Sequence, residues 1–201
     1  LKHYPKGIPA EIDVNEYESL RDVFEESVAK YASRPAFTCM GKSITFAELD
    51  TLSAAFGAWL QGIGGGKGTR VALMMPNILQ YPVCLFGTLR AGCTVVNVNP
   101  LYTPRELEHQ LKDSGAEVLV CVENFGNTVA EVVGRTQVRQ TVVTSIGELL
   151  GFKGIIVDYV IRHRKKLVPK FSLPGSIHLS DALAEGRKRA LERVEVGHDD
   201  I

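Results

Sequence analysis

The run from Arg70 to Leu111, RVALMMPNILQYPVCLFGTLRAGCTVVNVNPLYTPRELEHQL, constrains the fold of this chain more than any other stretch. It holds two continuous apolar segments, Val71 to Met75 and Thr94 to Val98, separated by a helix-length interval. A strand that is apolar at every position is covered on both faces, which is the pattern of a parallel sheet. The interval from Ile78 to Ala91 is apolar nearly all round and predicts a buried helix. Pro76-Asn77 breaks the first strand, and Asn77 is the candidate N-cap. Pro82 has no place in a helix interior, so either the first turn is kinked or the regular helix begins with Pro82 near its first position. Gly92 suits a left-handed C-cap. Strand, helix and strand at this length make a βαβ unit with a right-handed crossover.

The alternation continues downstream. Thr103-Pro104-Arg105-Glu106 is a capping box with proline at the first helical position, and the helix it opens ends near Ser114-Gly115. Glu117 to Val122 predicts a third buried strand, Thr128 to Arg135 a helix and Gln140 to Thr144 a further strand. Upstream, Ser19 is the candidate cap of a helix with a stripe at Leu20, Val23, Phe24, Val28 and Tyr31, ended by Arg34-Pro35. Ala36 to Met40 and Ser43 to Phe46 predict a hairpin around Gly41-Lys42. Thr45-Phe46-Ala47-Glu48 is another capping box, opening a helix with Leu49, Leu52, Phe56, Trp59 and Leu60 on one side. The expected fold class is therefore α/β: a layered, largely parallel sheet with flanking helices. Residues 1–16 read as an N-terminal arm, 17–144 as the α/β core and 145–201 as an irregular and helical excursion.

That excursion contains the most concentrated charge in the chain. In GIIVDYVIRHRKKLVPKF, residues 154–171, Ile155, Ile156, Tyr159, Val160 and Leu167 are placed to share a helical face. Arg162, Arg164, Lys165, Lys166 and Lys170 gather toward its C-terminal end. Three readings stay open: a surface helix with cations against its dipole, a basic amphipathic segment on an anionic membrane, and a nucleic-acid patch. Arg162, Arg164, Lys165 and Lys166 are the residues singled out for membrane-surface contact. Ser180 is the candidate cap of a last helix running through Ala190.

With 23 Lys and Arg against 23 Asp and Glu, bulk charge gives no argument for nucleic acid, and none is expected as a partner. The four cysteines form no C-x-x-C pair, and three lie in apolar runs, so buried reduced thiols are expected rather than a disulfide framework or zinc site. No secretory signal or membrane-spanning stretch is expected, which points to the cytoplasm. The chain opens on Leu1 and closes on Ile201, and both ends are expected to be cut. The IGGGKGT run at 63–69 is not a phosphate loop. Lys67 is followed by Gly68 instead of Ser or Thr, and the order is helix, turn, strand. Glu106 and His109 have the spacing of one half of a carboxylate-bridged metal site, but no second E-x-x-H occurs. No catalytic, cofactor-binding or metal-ligating constellation is complete. Composition and spacing alone support a cytosolic α/β domain, with a stand-alone binding module or a membrane-surface adaptor as possible roles.

Several longer phrases carry more. They are Ala72 to Asn77, Gln80-Tyr81-Pro82, Leu89-Arg90-Ala91-Gly92 and Val95 to Leu107, together with Ser43 to Leu49. In these the chain resembles the N-terminal part of bacterial long-chain fatty acyl-CoA synthetases, members of the adenylate-forming superfamily. Ser43 to Leu49 is similar to the superfamily's first core motif and Leu89 to Asn99 to its second. The resemblance implies a parent enzyme that uses ATP and Mg²⁺ to turn a long-chain fatty acid into an acyl-adenylate, then transfers the acyl group to coenzyme A. It also implies that the phosphate loop, nucleotide-binding motifs, metal-binding glutamate and catalytic lysine lie beyond Ile201. No catalytic residue can therefore be assigned in this chain, no bound cofactor is expected, and the piece alone is expected to be inactive. A homodimer through the N-terminal arm and peripheral contact with the inner face of the cell membrane are further expectations.

Overall fold

One helix and a two-stranded hairpin precede the main sheet. The computed structural model describes residues 3–9 and 11–201; Leu1, Lys2 and Ala10 of the expected arm lie outside the described residues. Helix α1 (Leu20–Tyr31) is capped by Ser19, whose hydroxyl accepts from the Asp22 amide. Strands β1 (Pro35–Cys39) and β2 (Lys42–Thr45) pair antiparallel, with Cys39 opposite Lys42. The turn is Met40-Gly41 rather than Gly41-Lys42. Both residues have positive φ, 49° and 78°, the mirror-image turn whose twist matches the flanking strands. Helix α2 (Phe46–Gly62) then begins at the Thr45–Glu48 capping box, which is formed in both directions.

Five strands make the main sheet: β3 (Arg70–Met74), β4 (Thr94–Asn97), β5 (Val118–Val122), β6 (Gln140–Thr144) and β7 (Ile177–His178). Their spatial order is β4-β3-β5-β6-β7, and every neighbouring pair is parallel. The helices are α3 (Gln80–Arg90), α4 (Pro104–Ser114), α5 (Gly126–Val132), α6 (Phe152–Tyr159) and α7 (Leu179–Gly186). Alternation along the strands divides the core in two. Val71, Leu73, Val118 and Val120 meet Phe56 and Leu60 of α2, Val83 of α3 and Leu179 and Leu183 of α7. Ala72, Met74, Leu119 and Cys121 meet Leu107 and Leu111 of α4 and Val129 and Val132 of α5. The result is a three-layer α/β/α arrangement, as the apolar runs predict.

Local expectations differ from the structure where tertiary packing decides. Asn77 does not cap α3. The helix starts at Gln80 with Leu79 at its N-cap and no side-chain cap bond, which leaves Pro82 in the first turn, where a missing N–H costs nothing. Ser180 likewise does not cap α7; His178, the last residue of β7, occupies that position, and the helix stops at Gly186 instead of Ala190. Strand β4 is half-buried rather than fully buried, because it is the sheet's edge. In the expected stripe of α1, Phe24 is buried and stacks on Phe86 at 4.1 Å, whereas Leu20 and Val23 are exposed. Their place is taken by Arg21, whose guanidinium donates to the Val194 carbonyl. Residues after Ser145 return to the sheet through β7, and α7 buries Leu179, Ala182 and Leu183 in the core.

Candidate functional site

In an open parallel sheet a ligand meets the carboxyl ends of the strands where the strand order reverses. Here β3 is followed by β4 on one side, and the chain then crosses back to β5 on the other, so the reversal lies between β3 and β5. Around that edge the structure gathers polar side chains that the sequence left scattered. Gln80, 1% exposed in the first turn of α3, donates through Nε2 to the Ser145 carbonyl at 2.6 Å. Ser145 Oγ donates to Asp158 at 2.5 Å, and the Gly147 amide donates to the other Asp158 oxygen at 2.8 Å. Thr144 Oγ1 donates to Glu148 Oε2 at 2.5 Å, while Glu148 Oε1 is buried with no hydrogen-bond partner among the described residues. The end of β6 is thereby tied to the start of α3 and to the C-terminal turn of α6.

The turn after β4, Asn97 to Tyr102, is the second polar feature of this edge. Tyr81 OH donates to Asn97 Oδ1 at 2.7 Å, and Gln110 Nε2 donates to the Asn97 carbonyl at 2.9 Å. Asn99 closes the turn by accepting from the Leu101 amide at 3.0 Å. Beside the open edge of β4 runs an apolar groove of about 550 Å³, lined by Phe24, Phe37, Phe46, Leu85 and Val95 and ending at Asn97. A second groove, about 590 Å³, lies between Tyr17–Val23, Lys67–Arg70 and Val196–Ile201.

Burial pushes the thiols of Cys93 to about 11 and Cys121 to about 12, and that of Cys84 higher still, so they stay protonated near neutral pH. No group of three or more His, Cys, Asp or Glu side chains that could hold a metal ion occurs among the described residues. Glu106 is bound into its capping box with Thr103, and His109 is exposed, so the E-x-x-H pair is a helix start and a solvated side chain. The glycine-rich run at 63–69 is the closing turn of α2 leading into β3, with Gly64 and Gly68 at φ 83° and 87°. Residues Gly147 and Gly154 and the Ser145–Glu148–Asp158 group escaped sequence reasoning. The wording Ser145-x-x-Glu148 was visible, but Asp158 joins it only through tertiary structure.

The basic segment is divided by its partners. Arg162 Nε donates to both oxygens of Glu123 at 2.9 and 3.1 Å, a pairing that raises its own pKa. Arg164, Lys165 and Lys166 make no ion pair among the described residues and are exposed. No described helix is long and apolar enough to cross a membrane.

The three layers and the strand reversal between β3 and β5 define the class of open, parallel α/β folds. The family is fixed by comparison: residues 24–156 match the family model described as AMP-binding enzyme, and the chain belongs to that family. Over its whole length it is 52% identical to a long-chain-fatty-acid–CoA ligase of Escherichia coli O6:H1 and 52% identical to that of Yersinia pestis. It spans 36% of the length of each. Among solved structures, a long-chain-fatty-acid-CoA ligase from Archaeoglobus fulgidus matches 99% of this chain and 36% of its own, with a TM-score of 0.71 at 23% identity, a likeness of fold.

Proposed function

We propose that this chain is the N-terminal part of a long-chain fatty acid–CoA ligase. The observation that carries the reading is 52% identity along the entire chain to ligases of that name. In such an enzyme a fatty acid carboxylate oxygen attacks the α-phosphorus of ATP, and Mg²⁺, when bound, would neutralise phosphate charge. The acyl-adenylate forms and pyrophosphate leaves. The coenzyme A thiol then attacks the acyl carbonyl, giving the thioester, AMP and a proton. The part described here supplies rigidity to that chemistry. Its sheet is covered on both faces, its thiols are held protonated, and Gln80 and Asp158 lock the strand ends against the helices. Orientation of this kind contributes to catalysis without touching the reacting atoms. The ligase works in the cytoplasm, in peripheral contact with the inner face of the membrane. A homodimer forms through the arm, whose exposed Tyr4, Ile8, Ile12 and Val14 support that reading.

The test is ATP–pyrophosphate exchange with palmitate. The purified 201-residue chain is expected to give no exchange above background, and the natural polypeptide that carries this sequence is expected to give a strong, palmitate-dependent signal. Exchange by the short chain would overturn the assignment of a purely positioning role. Absence of exchange from the longer polypeptide, with other carboxylic acids accepted, would overturn the fatty acid substrate.

A further inference from the structure

The outward face of α6 is apolar, which is the reverse of what a solvent-facing helix presents. Phe152, Ile155, Ile156 and Tyr159 follow the i, i+3, i+4, i+7 spacing of a single stripe, and they are 81%, 67%, 55% and 59% exposed. The helix cannot roll to hide them. Its inner side is held by Gly154 against Gly147, so closely that a Cβ on Gly154 would stand 1.9 Å from the Gly147 carbonyl oxygen. Asp158, on that same inner side, is fastened to Ser145 and Gly147. At the N-terminal end Lys153 Nζ donates to the Met40 carbonyl at 2.6 Å, which brings the exposed Met40 of the β1–β2 turn to the same patch. At the other end the helix widens into a π turn, Val160–Arg164, followed by exposed Leu167.

The charge around this stripe is one-sided. Between Gly151 and Lys170 there are six Lys and Arg residues and a single acid, Asp158, whose oxygens are used internally. Arg164, Lys165, Lys166 and Lys170 have no acidic partner among the described residues. An apolar stripe ending in unpaired cations matches the interface of an anionic bilayer, where the side chains enter the acyl boundary and the cations meet headgroup phosphates. A second copy of this chain is a poor occupant, since a two-fold contact would bring the same cations together without acids to face them.

The geometry points to α6 and the basic turn after it as a membrane-docking face: Phe152, Ile155, Ile156 and Tyr159 insert, and Arg164, Lys165 and Lys166 bind the phosphates of anionic lipid. Arg162, singled out with these cations from sequence, serves the fold through Glu123 instead. This inference rests on the reading that the ligase meets the inner face of the membrane; it is separate from the adenylate-forming chemistry, so vesicle binding and pyrophosphate exchange test the two readings apart.

The experiment is vesicle flotation of the natural polypeptide that carries this sequence, with no activity readout. Vesicles of equimolar phosphatidylglycerol and phosphatidylcholine are compared with phosphatidylcholine alone. Wild type partitions onto the anionic vesicles, and salt weakens the binding. Phe152→Ser with Ile156→Ser lowers the partition coefficient by roughly a hundredfold. Arg164→Gln, Lys165→Gln and Lys166→Gln together lower it by about as much at low salt. Arg162→Gln changes it by less than about threefold, because that charge is already paired. Circular dichroism and thermal midpoints of the apolar and triple variants match wild type, as every substituted side chain is exposed in the described chain; a midpoint lowered by the apolar pair would show that the rest of the polypeptide covers the stripe, and would overturn the proposal. Failure of wild type to float on anionic vesicles overturns the proposal. So does flotation unaffected by the apolar pair, or loss by that pair of a lipid-free dimer in place of vesicle binding.

Discussion

Glu108 stands between two cations on the surface of α4. Arg135 donates Nε and Nη2 to its Oε2 at 3.0 and 2.7 Å, and Lys112 donates to Oε1 at 2.6 Å. These bonds, Arg135's first, hold its carboxyl at about 2, below the ordinary 4.5. A depressed carboxylate pKa contributes stability that is present above the unfolded value and lost as pH falls through the folded one. Glu108→Gln is therefore expected to lower the thermal midpoint at neutral pH, with the gap to wild type closing as pH falls from 4.5 toward about 2. Midpoints measured across that range check it, and a gap that persists at the acid end would contradict it. Glu48 and Glu106 are lowered in the same direction by their capping boxes. Those two residues were legible from sequence because the whole motif spans four positions. Glu108 was not, because Arg135 reaches it from another element.

The helices of the α2 layer meet through residues without side chains. A Cβ on Gly186 of α7 would lie 1.8 Å from the Ala55 carbonyl oxygen of α2, and one on Gly57 would lie 2.8 Å from the Gly87 carbonyl oxygen of α3. Backbone cannot yield as a flexible side chain does, so Gly186→Ala is expected to push α7 off α2 and cost about 1–3 kcal/mol. Gly134→Ala, with nothing within 4 Å, is the control and is expected to be stabilising by up to about 1 kcal/mol. Urea midpoints separate the two signs. An apolar stripe predicted α2, an interval apolar nearly all round predicted α3, and α7 was expected only from a candidate cap at Ser180. The cap expected at Ser180 failed because the last strand residue, His178, already occupies the N-cap of α7, and the cap expected at Asn77 failed because α3 begins three residues later, at Gln80. The same limit applies to the docking face. Sequence supplied the stripe of Ile155, Ile156 and Tyr159 and the cations after it, but the side on which the stripe lies is decided by Gly147, Gly154 and Asp158, contacts made only on folding.

At the scale of the whole molecule, the strands of the sheet carry nearly the same wording and hold very different positions. TVVN of β4 and VLVCV of β5 both read as buried parallel strands. Of these two, β5 has a strand on each side and a helix layer on each face, whereas β4 lacks a neighbour on one side. Periodicity reports which faces are covered and is silent on edges, so parallel layering was legible and the order β4-β3-β5-β6-β7 was not. The difference has a measurable consequence. An edge strand leaves alternate amides without a strand partner, whereas central amides exchange with solvent only when the domain opens. Hydrogen exchange of the chain at neutral pH is expected to be slowest across Val118–Val122, next slowest in Arg70–Met74, and faster in Thr94–Asn97 and in the two residues of β7. If β4 amides were as protected as those of β5, something would have to cover that edge in solution. The apolar groove beside it, lined by Phe24, Phe37, Phe46, Leu85 and Val95, would be where to look for it.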